Sequence, residues 1–161
     1  MIRDAKGLTI IKIIDKVGMP HLLNFIMQEL RVFDTSSIEW IKLLPLSKNT
    51  LLHGECRFPP RMSNGTNKKR GYRIRASVNV EMAPPFSFVH WGWVRCSANE
   101  EKIVSGEKTF EFSDLEECAL HTLAHECFHF LSDSNQILKK NIEANANAFA
   151  DEWLNCFRNK M

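Results

Sequence analysis

The sequence predicts an α+β fold. Three observations carry that prediction: an amphipathic helical stretch near the start, a central region of alternating or aromatic segments, and two helical stretches at the end. The 161 residues read as a single domain, 1–161, and the 44% hydrophobic and 25% charged composition suits a globular chain with one core.

Pro20 to Phe33 reads as the first helix, with Leu22, Leu23, Phe25, Ile26 and Leu30 at helical spacing. Ile38 to Leu44 and Thr50 to Phe58 read as strands. Tyr72 to Val80 alternates, with Tyr72, Ile74, Ala76, Val78 and Val80 on one face and Arg73, Arg75, Ser77 and Asn79 on the other. Phe86 to Cys96 is aromatic and β-branched, bounded by Pro84-Pro85 and by Ser97-Ala98-Asn99-Glu100. Thr109 to Phe112 reads as a short strand or as the lead-in to a helix.

That helix starts near Leu115 and runs on without Gly or Pro. Leu120, Leu123, Ala124, Cys127, Phe128 and Leu131 give it a stripe to bury. Ser113 reads as its N-cap, with Glu116 completing a capping box. Fraying is expected at Ser132-Asp133-Ser134-Asn135. The last helix, Lys140 to Leu154, is rich in Ala, so it can pack closely on its predecessor.

Residues 125 to 129, His-Glu-Cys-Phe-His, form an H-E-x-x-H motif inside the helix. Positions i and i+4 share a helical face, so His125 and His129 can hold one metal ion together. Glu126 then stands where it can take a proton from an activated water, which points to a zinc (Zn2+) hydrolase. Cys127, at i+2, should face the core. Catalytic zinc needs a third protein ligand. No histidine follows His129, so the third ligand must be a carboxylate. Glu143 is favoured; Asp133 and Asp151 are its rivals. Asn147 lies one turn beyond Glu143 and can hydrogen-bond a ligand and orient it. Tyr72, His90 and His121 are candidates to stabilise developing charge, although His121 reads better as an exposed or capped histidine.

The motif and the downstream stretch Glu143-Ala144-Asn145-Ala146-Asn147-Ala148-Phe149-Ala150 resemble the gluzincin metallopeptidases, most closely the small ones of ImmA/IrrE type. Their pattern, roughly E-x-E-A-N-x-F-A, is matched at Glu143, Ala146, Asn147, Phe149 and Ala150; its second Glu is Asn145 here. The approach His121-Thr122-Leu123-Ala124-His125-Glu126 also resembles the SprT-like metallopeptidases, which commonly use a third histidine. The likeness covers about residues 110 to 155. It implies a minimal zincin fold: a small mixed sheet, an active-site helix, and a following helix bearing the third ligand. It further implies a zinc-dependent endopeptidase acting on a protein or peptide, with Glu126 as general base, and an exposed strand edge beside the metal. Phe88 to Cys96, carrying Trp91 and Trp93, is the expected edge.

No apolar run approaches a membrane span, and the N-terminus lacks the pattern of a secretory signal. Thr9 to Ile14 is too short and is interrupted by Lys12. The five cysteines contain no C-x-x-C pair and read as reduced thiols in a cytoplasmic setting. Pro59 to Gly71 reads as a loop bearing Arg61, Lys68, Lys69 and Arg70, flanked by Arg57, Arg73 and Arg75. That basic segment, 57–75, sustains a second expectation: a non-enzymatic module that binds nucleic acid or protein on the same scaffold.

Overall fold

The computed structural model describes residues 11–47, 50–59, 71–95 and 103–160. Their order is β1 (Lys12–Asp15), α1 (Pro20–Glu29), β2 (Ile38–Pro45), β3 (Leu52–Arg57), β4 (Tyr72–Val78), β5 (Phe86–Arg95), β6 (Ile103–Phe112), α2 (Leu115–Asp133) and α3 (Glu143–Arg158), with a 3₁₀ turn, Leu30–Val32, after α1. The fold is α+β. A mixed four-stranded sheet runs in the order β1-β2-β4-β3, and β5 and β6 form a separate two-stranded ribbon. β1 and β4 both lie parallel to β2, whereas β3 is antiparallel to β4.

The chain enters α1 through a turn built by Asp15. Its carboxylate accepts the N–H groups of Val17, Gly18 and Met19 at 2.9, 2.8 and 2.8 Å. Gly18 sits at φ 86°, where a side chain would be strained, and Pro20 opens the helix. β1 is the one strand that sequence reading leaves unassigned. Lys12 and Ile13 are both exposed, so no buried alternation marks it.

β4 is central, and the reading of its inward face holds. Ile74, Ala76 and Val78 are fully buried and Tyr72 nearly so, but Val80 lies past the strand end and is exposed. α2 packs on β3 and β4, with Phe130 edge-on to Tyr72 at 4.9 Å, and its Leu120, Leu123, Phe128 and Leu131 are each fully buried. Burying one such side chain contributes about 2 kcal/mol, and truncating Phe128 to Ala would cost about 3–5 kcal/mol. α3 covers α2 in turn, and Phe25 of α1 meets Trp153 and Phe157 edge-on at 6.3 and 5.2 Å.

Several boundaries differ from the sequence reading: α3 runs Glu143–Arg158 rather than Lys140 to Leu154, and three others have a visible cause. The N-cap of α2 is Asp114, not Ser113: its side chain accepts the Glu117 N–H at 2.8 Å, while Glu117 accepts the Ser113 N–H at 2.7 Å. The box is therefore Asp114 with Glu117, one residue later than expected. α2 does not fray at Ser132. Tyr72 donates its hydroxyl to Asp133 at 2.7 Å, Ser134 bonds back to the Phe130 carbonyl, and Asn135 ends the helix at φ 58°. β6 is ten residues long rather than four, because Ser105-Gly106-Glu107-Lys108 breaks the apolar alternation between Ile103-Val104 and Thr109.

Among the described residues, no helix is long and apolar enough to cross a membrane. Cys56, Cys118, Cys127 and Cys156 are free thiols, and Cys127 is fully buried in the core. Cys96 and the basic stretch 60–70 lie outside the described residues.

Candidate metal centre

One turn of α2 separates His125 from His129, and their Nε2 atoms stand 3.1 Å apart. Glu143, the first residue of α3, brings its carboxylate to the same point. Its oxygens lie 3.1 Å from His125 Nε2 and 3.5 Å from His129 Nε2. These three residues offer one ligand atom each within a common 4.8 Å span. A tetrahedral zinc with bonds of 2.0–2.1 Å spaces its ligand atoms about 3.3 Å apart, so the three fit the ion.

The far side of each imidazole is also held. His125 Nδ1 donates to Asn147 Oδ1 at 2.9 Å, and His129 Nδ1 donates to Asn141 Oδ1 at 2.5 Å. With both Nδ1 protons so engaged, each neutral ring presents a lone pair at Nε2. Two lone pairs and a carboxylate then face one small volume, an arrangement stable only around positive charge. Burial disfavours a charged His125, but Glu143 and Glu126 outweigh it and hold its pKa above the ordinary value. Burial lowers that of His129. The hydrogen bond from His125 lowers that of Glu143, whose side chain is 57% exposed at the rim.

Glu126 is buried beside this cluster. Burial raises its pKa from 4.5 to about 7, with Glu143 and Glu55 adding to the effect and His125 and the Cys56 N–H opposing it. Gly54 on β3 makes room for it: a Cβ there would collide with Glu126 Oε1 and stand 2.9 Å from Cδ. A cleft of about 160 Å³ opens over the group. β3 contributes Leu52 and Gly54 to its wall, β5 contributes Phe88 and His90, α2 contributes His121, Thr122, His125 and Glu126, and α3 contributes Asn147.

The other candidates are placed as follows. Asp133 is taken by the Tyr72 hydroxyl, which also engages the only tyrosine. Asp151 accepts from Lys108 at 2.5 Å and faces His121 Nε2 at 3.2 Å. Of the two readings of His121, exposed or capped, the exposed one does not hold: it is 2% exposed, ringed by Phe88, Phe110 and Phe112, and burial lowers its pKa. His90 lines the cleft, and its Nε2 is buried without a hydrogen-bond partner among the described residues. Asn145, where the resembled pattern has Glu, is buried and donates to the Lys140 carbonyl at 2.8 Å.

Two residues of the site escape sequence reading. Asn141 precedes α3 in a polar stretch, and nothing marks it among the other asparagines. Gly54 interrupts a strand, a signal that a neighbouring group approaches closely. The expected substrate edge, β5, pairs with β6 outside the four-stranded sheet. That sheet's own edge on this side is β3, the strand that reaches Glu126. The chain matches no family model, no curated protein and no solved structure, so the centre is read from its own geometry.

Proposed function

We propose that the chain is a zinc-dependent endopeptidase of cytoplasmic setting, a gluzincin-like hydrolase of protein or peptide substrates. The observation that carries this reading is the convergence of His125, His129 and Glu143 on one point, with both imidazoles oriented by asparagines and Glu126 alongside. His125, His129 and Glu143 would hold the ion. When bound, zinc supplies Lewis acidity, lowering the pKa of a water and polarising a carbonyl.

The chain's own residues supply the rest. Glu126, buried at the cleft wall and with a pKa raised toward neutrality by that burial, accepts a proton from water at its carboxylate and returns it to the leaving amine. Asn147 and Asn141 fix the imidazole tautomers, so the lone pairs stay aimed inward. Leu52 and Phe88 line the cleft and exclude bulk water from the reacting groups.

Metal analysis of the purified protein tests this directly. One zinc per chain is expected, lost in His129→Ala. Glu126→Gln should retain the zinc and lose cleavage of denatured casein. A protein that carries no zinc after loading with the metal sinks the reading.

A further inference from the structure

The sheet has two faces, and among the described residues only one is covered by helices. Cross-strand register sets Lys12, Trp40, Arg73 and Arg57 abreast over β1, β2, β4 and β3. The next row is Ile14, Lys42, Arg75 and Glu55. These side chains are half-buried or exposed, whereas those of the opposite face lie against α2. The metal centre is on that opposite side.

Like charges placed directly opposite across strands destabilise a sheet. Here Arg73 opposes Arg57, and Lys42 opposes Arg75. Two acids offset part of the repulsion: Glu39 takes Arg73 at 2.8 Å, and Glu55 sits between Arg57 and Arg75 at 2.5 and 2.8 Å. Five cations against two acids leave this face at +3, more than the +2 of the whole chain. An aromatic ring stands among them. Lys42 Nζ lies 4.0 Å from the Trp40 ring centroid, and the Arg73 guanidinium 5.9 Å. A face of cations around one half-buried ring, reached by moving the flexible Lys42 side chain, serves polyanions whose units also stack.

We propose that this face binds single-stranded nucleic acid, with a base stacked on Trp40 and phosphates on Lys12, Lys42, Arg57 and Arg75. Stacking is sequence-tolerant and the phosphate contacts are electrostatic, so binding is non-specific in sequence and weakens with salt. A duplex is disfavoured, because among the described residues this face offers no helix or ribbon to enter a groove. An anionic membrane is disfavoured too, since the face lacks the broad apolar band that anchors in lipid. The inference is independent of the metal centre, which lies across the sheet.

The test is fluorescence anisotropy of the full chain with short fluorescein-labelled oligo-thymidine and oligo-uridine. Binding should weaken between about 50 and 200 mM salt, with a log–log slope near −3 for about four phosphates neutralised. Trp40→Ala should weaken it about tenfold, and Trp40→Phe should recover most of that loss. The pair Lys12→Glu and Lys42→Glu, at exposed and half-exposed positions, should remove binding and flatten the salt slope. It also serves as the second variant if Trp40→Ala melts early by circular dichroism. Four results would overturn the proposal: no binding of either oligonucleotide at the lower salt; undiminished binding by the Trp40 and Lys12/Lys42 variants; loss only on replacing Lys68, Lys69 and Arg70 by Ala; or capture by phosphatidylserine vesicles but not by oligonucleotides.

Discussion

Asn147 Oδ1 accepts the Nδ1 proton of His125 at 2.9 Å, so one residue of α3 sets the tautomer of a histidine on α2. Asn141 does the same for His129 from the connection before α3. Both acceptors are neutral amides, which orient the rings without adding negative charge to the centre.

Removing either amide should loosen the metal and leave the fold intact. Asn147→Ala or Asn141→Ala is expected to weaken zinc binding by about 10- to 100-fold, measured by competition with a chromogenic chelator. Unchanged affinity in both variants would show that the rings are held by packing alone.

Glu126 should cost the metal-free protein stability. Its folded pKa of about 7 lies above the ordinary 4.5, so its charged form is disfavoured by folding. The sign is that of a raised carboxylate: no cost below about pH 4.5, and the full cost above about pH 7. Glu126→Gln should therefore stabilise the metal-free protein by about 2 kcal/mol near pH 8 and by little near pH 4. Urea titrations at the two pH values check it.

Gly54→Ala should disable Glu126 without touching the ion's ligands. The new Cβ would overlap Oε1 and force the carboxylate off its place beside β3. Hydrolysis should fall by about a hundredfold while zinc content stays at one per chain. Equal loss of zinc would mean that the strand also supports the ligand set.

Glu117 should set the acid limb of stability. The Arg158 guanidinium, paired at 2.5 and 2.7 Å, and the Ser113 N–H hold this buried carboxyl below the ordinary 4.5. A lowered folded pKa stabilises above the unfolded value and is lost as pH falls through the folded one. Glu117→Gln should cost about 2 kcal/mol at neutral pH and converge with the parent chain in acid, once the carboxyl of the folded state is protonated. Thermal melts across that range measure it.

Much of this was legible in the sequence because periodicity reports burial. The α1 stripe, the β4 alternation and the apolar flank of α2 all appear where the spacing puts them. The grouping of His125, His129 and Glu143 was legible because a helix fixes i and i+4, and because Glu143 and Asn147 are themselves one turn apart. What stayed hidden has no local period. β1 has no buried alternation, β6 is interrupted by Ser105-Gly106-Glu107-Lys108, and Asn141 acts from a loop. His121 misled for a related reason: its burial depends on Phe88, Phe110 and Phe112 from a distant ribbon, and its partner Asp151 lies thirty residues on.

The three groups that converge at the centre come from two helices joined by a nine-residue connection, 134–142, and the carboxylate is the opening residue of the second. The tripod therefore exists only while the C-terminal helix is seated. Metal affinity and docking of that helix are one linked equilibrium: whatever loosens Trp153 or Phe157 from Phe25 must also release the ion, and loading the ion must tighten the C-terminus.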